Sequence, residues 1–148
     1  MLRKLAIASI ASFGLIGAGC AAESEAPTAA ADSDVEEAAN LAAVLVYADW
    51  CSSCKILDPK VEAVKANQEL PGVNFVTIDY TARDVDDLFA QADQQGVGEA
   101  IRQFLAEEVK TGWLLLVDLD DNRVVGKVVK SMEEAEIAGA IKATQLAS

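Results

Sequence analysis

Two cysteines three positions apart, in Trp50-Cys51-Ser52-Ser53-Cys54-Lys55, are the residues of this chain best suited to chemistry. A thiolate is a strong nucleophile. Cys54 is near enough to close a small disulfide with Cys51. Cys51 would attack a partner sulfur, and Cys54 would resolve the mixed disulfide so formed. A purely structural disulfide and half of a zinc site are the competing readings. Zinc takes four ligands, usually a second cysteine pair or histidines. The chain has no histidine and one further cysteine, Cys20, so redox chemistry is the favoured reading.

The flanking sequence says how the pair is held. Ala43-Val44-Leu45-Val46-Tyr47 is a short apolar run, rich in β-branched residues and closed by polar Asp49, which reads as a buried strand. After the pair, Leu57, Val61 and Val64 share one helical face. Cys51 should therefore sit at a helix N-terminus, with Cys54 one turn in. Free amide N–H groups and the helix dipole there stabilise an anion. Lys55 adds positive charge nearby.

Trp-Cys-x-x-Cys-Lys, followed five residues after the second cysteine by Pro59, resembles the active-site segment of the thioredoxin superfamily. The resemblance extends in outline over residues 41–147. It implies a three-layer α/β/α sandwich around a mixed sheet of about four strands, trimmed of the first thioredoxin strand. It also implies that Pro59 kinks the active-site helix, as a mid-helix proline does. Catalysis would fall to Cys51 and Cys54, which form the disulfide. Trp50 would shield one side of the site, and Thr111 and Gly112 would line the other. No cofactor is implied, because the cysteine pair carries the two electrons. The expected partners are cysteine-containing proteins and a thiol or disulfide electron partner, with the chain itself a monomer.

Three positions depart from the family pattern. Gly112, in Lys110-Thr111-Gly112-Trp113, stands where thioredoxins carry a cis-proline. Leu45, six residues before Cys51, stands where they bury an acid. Ser52-Ser53 replaces Gly-Pro between the cysteines, a dipeptide that tunes redox potential. Whether the pair oxidises, reduces or isomerises is thus not legible. Two thiolates without a guarding proline also offer a soft site for Cu(I), with Met132, in an expected capping turn, as the candidate thioether. The alternative function is therefore a non-catalytic module that binds a partner or Cu(I); no resident metal is expected.

The 148 residues suit one domain, and enough Val, Leu and Ile accompany the alanines to build a core. A net charge of −12 excludes nucleic acid as a partner, since that affinity rests on basic residues. Residues 1–19 read as a signal peptide, with basic Arg3 and Lys4 ahead of a 14-residue apolar stretch from Leu5 to Ala18. Ala18-Gly19-Cys20 resembles a bacterial lipobox, so Cys20 is the expected lipidated N-terminus, although Gly17 replaces the usual aliphatic residue. Removing the leader leaves 10 basic against 24 acidic residues, a net charge of −14. Residues 20–40 are acidic and alanine-rich and read as a flexible tether. The expected product is a periplasmic, lipid-anchored domain of residues 41–148.

Beyond the first strand (Val44–Ala48) and helix (Ser53 to about Gln68), Val73–Asp79 reads as a strand with Val73, Phe75 and Thr77 on one face. A strand–helix–strand unit of this size implies a parallel pair. Residues 80–110 are long for a thioredoxin connection and read as a two-helix insert, Asp84–Gln95 and Gly98–Val109. Leu88, Phe89 and Ala92 form one core-facing stripe; Ile101, Phe104 and Leu105 form another. Such an insert could also shape a substrate groove. Trp113–Asp118 and Arg123–Val129 read as a hairpin whose acidic turn lacks the glycine and closing glutamate of a calcium loop. Ser131-x-x-Glu134 reads as a capping box opening a last helix through Ala147, with Ile137, Ala138 and Ile141 toward the sheet.

Overall fold

β1 (Leu41–Tyr47) delivers the chain to the cysteines, and it starts three residues ahead of the expected Val44. Leu41, Ala42 and Ala43 are fully buried and pair on both sides, with Val73–Phe75 and with Leu116–Asp118. Two alanines carry little strand propensity of their own, so tertiary pairing decides the boundary. The computed structural model describes residues 39–148 except Glu107; the leader, Cys20 and most of the tether lie outside the described residues.

From β1 the chain enters α1 (Ser52–Asn67) and returns through β2 (Val73–Asp79), parallel to β1 in the register Leu41↔Val73 to Tyr47↔Asp79. Next come α2 (Val85–Gln94) and α3 (Gly98–Phe104). The hairpin β3 (Trp113–Asp118) and β4 (Arg123–Val129) and the last helix α4 (Glu134–Gln145) complete the described chain. The strands form one mixed sheet in the order β2-β1-β3-β4, with β3 antiparallel to both β1 and β4.

Side-chain alternation along β1 makes the two faces of this sandwich. Leu41, Ala43 and Leu45 join Leu114 and Leu116 beneath Leu57, Val61 and Val64 of α1 and Ile137, Ala138 and Ile141 of α4. Ala42, Val44 and Val46 join Val76, Ile78 and Leu115 beneath α2 and α3, through Leu88, Ala92 and Ile101. Truncating one such leucine to alanine costs about 2–5 kcal/mol. Val73 and Phe75 of β2 are half-buried on the α1 side; Thr77, expected to share their face, is exposed at its edge.

The two-helix insert is present, with a shorter second helix than the sequence suggests. α2 is capped by Asp84, whose carboxylate accepts from the N–H groups of Asp86 and Asp87. It ends in a Schellman turn: Val97 N donates to Ala92 O, Gly96 N donates to Asp93 O, and Gly96 takes φ +73°. α3 stops at Phe104 rather than Val109. The next residues include acidic Glu108, unfavourable at the negative end of a helix, and residues 108–112 are not helical. Phe104 does not enter the core; it is 39% exposed and sets its ring edge-on against Trp113.

The last helix opens at Glu134, with Glu133 rather than Ser131 at its N-cap. Glu136 returns its carboxylate to Glu133 N at 2.8 Å. Lys60 explains the shift: its ammonium, reaching from α1, donates to Lys130 O, Met132 O and Glu133 Oε1. That bond set holds residues 130–132 as a turn outside the helix. Between β3 and β4, Asp118 Oδ1 accepts from Asp120 N and Asp121 N at 3.0 Å each, an Asx-type turn completed by Asn122 at φ 51°.

Candidate active site

Cys51 is the N-cap of α1, in extended backbone conformation, and its Sγ accepts a hydrogen bond from Cys54 N at 3.1 Å. The first turn of α1 carries no acidic residue to oppose an anion at that sulfur. The two cysteines are bonded as a disulfide, with Cα atoms 5.3 Å apart. Their exposures differ. Cys51 keeps 7% of its surface and Cys54 none, so the first sulfur is the one that a reactant reaches. Cys54 Sγ lies 3.6 Å from Val46 O, at the end of β1.

Gly112 donates to that carbonyl from its backbone N, at 3.2 Å. It sits at φ +81°, packed against the disulfide. A Cβ built on it would lie 2.5 Å from Ser53 Cβ and 3.2 Å from Cys51 Sγ. Both the backbone angle and the space require glycine. Proline, whose φ is near −65°, cannot adopt this conformation. At the position where the family pattern has a cis-proline, this chain instead makes a close backbone approach of residue 112 to the sulfurs.

The other wall is built by a loop that the sequence did not single out. Asp49 N donates to Thr81 Oγ1 at 3.1 Å, and Trp50 Nε1 donates to Thr81 O at 3.0 Å. Tyr80 presents its ring edge-on to Trp50, with centroids 6.3 Å apart, and the Arg83 guanidinium lies 4.2 Å over the Trp50 ring. Arg83 holds φ 58°, an uncommon angle for a side chain of its size. Trp50 remains 43% exposed between these contacts. The usable signal was topological: a parallel β1–β2 pair puts both C-terminal ends side by side, so the residues after Asp79 had to border the cysteines.

Leu45, at the position of the family's buried acid, is itself buried in the apolar cluster beneath α1. Asp118 is the only buried charged residue among the described residues, and it lies at the opposite end of β3 from Gly112. The N–H groups of Asp121 and then Asp120 hold its carboxyl below the usual carboxylate range, with burial opposing them. No group of three or more His, Cys, Asp or Glu side chains suited to a metal occurs among the described residues. Met132 packs with the cluster beneath α4, and Cys54 with a separate one around Ala48, so the structure does not bring the thioether to the thiols.

The family model for thioredoxin matches residues 24–97, half of the chain. The protein belongs to the thioredoxin family. The matched stretch contains the cysteine pair and ends before α3, so the Gly112 loop and the hairpin lie beyond it. Among solved structures, the thioredoxin of Fasciola hepatica is 22% identical, with 72% of this chain and 82% of that one covered and a TM-score of 0.44. A mutant thioredoxin from Halobacterium salinarum is 24% identical, with 70% and 74% covered and a TM-score of 0.44. Thioredoxin f2 of Chlamydomonas reinhardtii is 23% identical, with 74% and 84% covered and a TM-score of 0.43. No curated protein matches the chain. A thioredoxin-family domain with a Cys-x-x-Cys pair at bonding distance supports thiol–disulfide oxidoreductase chemistry in general.

Proposed function

We propose that this thioredoxin-family protein is an exported thiol–disulfide oxidoreductase that exchanges disulfides with cysteine-bearing partner proteins. Cys51 is the attacking sulfur and Cys54 the resolving one. In the reduced protein the Cys51 thiolate attacks a partner disulfide. A bond forms between Cys51 and one partner sulfur, and the second partner sulfur leaves and takes a proton. Cys54, as thiolate, then attacks Cys51 Sγ, closing the intramolecular disulfide and releasing the first partner sulfur as a thiol. The partner gains two electrons and the pair loses two. From the oxidised protein the same steps run in reverse, beginning with a partner thiolate on Cys51.

The observation that carries this reading is the asymmetry of the pair. Cys51 is reachable and accepts a main-chain N–H at a helix terminus, while Cys54 is sealed. A helix N-terminus favours the thiolate as either nucleophile or leaving group. Export and lipid attachment at Cys20 are part of the proposal and rest on the leader-like residues 1–19 and the Ala18-Gly19-Cys20 segment.

The test is trapping. Cys54→Ser should accumulate mixed disulfides through Cys51, visible as adducts on non-reducing gels that collapse with reductant. Cys51→Ser should form none and lose exchange. Exchange retained in Cys51→Ser would reverse the assignment.

A further inference from the structure

α3 ends at Phe104, short of covering the start of β3, where Trp113 is half-buried and Lys127 exposed. The two side chains share one face of the sheet, because Lys127 pairs opposite Leu115, two residues along β3 from Trp113. Phe104, Leu105 and Trp113 give apolar walls to a cleft of about 730 Å³ there, a size usual for small-molecule sites. Lys110, Lys127 and Glu108 give it charge. Lys127 Nζ lies 4.1 Å from the Trp113 ring centroid and Lys110 Nζ 5.7 Å. The negative face of an aromatic ring attracts an ammonium, but two ammoniums held at one ring repel each other. Glu108 offsets Lys110, at 3.5 Å. Lys127 forms no ion pair among the described residues. The chain carries 24 acids against 12 bases, so this cleft is a local reversal of the molecule's charge.

We infer that this cleft binds a small organic anion, with a carboxylate between the Lys110 and Lys127 ammoniums and a flat apolar body against Phe104 and Trp113. The anion supplies the counter-charge that Lys127 lacks and relieves the repulsion between the two lysines. The apolar body covers exposed ring surface: Phe104 stands edge-on to Trp113, with centroids 6.1 Å apart and planes at 76°, and keeps 39% of its own surface open. A bare inorganic anion would meet the charge and leave the rings in water. A neutral aromatic would cover the rings and leave the charge uncompensated. The acidic remainder of the molecule repels anions and so directs them to this face. None of these side chains takes part in the cysteine chemistry, so the site stands or falls apart from the exchange reading.

The experiment is calorimetric titration of the full-length oxidised protein with three probes: 2-naphthoate, its neutral analogue 2-naphthalenemethanol, and acetate. Naphthoate should bind saturably at one site, and the other two should bind roughly ten-fold more weakly or worse, each lacking either the charge or the ring. Lys127→Gln removes one exposed charge contact and should weaken naphthoate binding about five-fold. Lys130→Gln, at an exposed lysine outside the cleft, should leave it unchanged. No saturable naphthoate binding would overturn the site. Equal binding of the alcohol would overturn the anionic class, and equal binding of acetate the apolar body. Affinity unchanged in Lys127→Gln, or lost equally in Lys130→Gln, would overturn the placement at Trp113.

Discussion

Gly112→Ala is the substitution that most directly probes the backbone packed on the cysteines. Two costs add at this position. An alanine at φ +81° carries the steric penalty of left-handed backbone, roughly 1–2 kcal/mol. Its Cβ would then lie 2.5 Å from Ser53 Cβ, an overlap with an atom fixed to the first turn of α1 and unable to rotate away. Overpacking of that kind costs about 1–3 kcal/mol. The expected loss is about 2–5 kcal/mol, a large share of the roughly 5–15 kcal/mol that holds a domain together. Gly96→Ala is the internal control. It carries nearly the same angle, φ +73°, but meets nothing within 4 Å, so it should lose only the backbone part. Urea unfolding of the oxidised protein, monitored by Trp fluorescence, measures both. With an m-value of about 1–3 kcal/mol/M, the overpacking part should lower the Gly112→Ala midpoint beyond that of Gly96→Ala by an amount on the order of 1 M. Equal losses in the two variants would refute the close approach and, with it, the view that residue 112 is held against the sulfurs.

Two further outcomes follow from other parts of the chain. The Asp118 carboxyl is held low by main-chain donors in the folded state. A group with a lowered folded value contributes stability above the ordinary carboxylate range near pH 4, and that contribution fades as pH falls through the lowered value. Asp118→Asn should therefore be less stable at pH 7 and lose less between about pH 4 and pH 2; denaturant unfolding across that window should show the shallower slope, and parallel curves would contradict it. Cys20→Ala should move the protein from the membrane to the soluble fraction on expression in a lipoprotein-processing bacterium, and unchanged partition would remove the lipid anchor from the proposal.

Much of this was legible in order along the chain, for identifiable reasons. β2, β3 and β4 match their expected ranges because alternation and turn residues bound them, and α1 because an apolar stripe follows the cysteines. Boundaries slipped where long-range contacts decide. Ala42 and Ala43 become strand through pairing on both sides, and the Lys60 ammonium, from seventy residues away, moves the cap of α4 from Ser131 to Glu133. The cysteine pair and Gly112 could be found from spacing and family pattern. The Thr81–Arg83 wall could not, because its bonds to Asp49 and Trp50 use a main-chain carbonyl, a common hydroxyl and a stacked guanidinium. None of these has a sequence signature until the parallel pairing of β1 and β2 sets the two loops side by side.

The most direct test of the central claim is a redox titration of the full-length protein against glutathione or dithiothreitol buffers, read by alkylation of Cys51 and Cys54. A working exchange site predicts a reversible two-electron midpoint between roughly −120 and −270 mV, and its value would say whether the protein acts as oxidant or reductant. A midpoint below about −300 mV would mark the Cys51–Cys54 bond as structural and contradict the oxidoreductase reading.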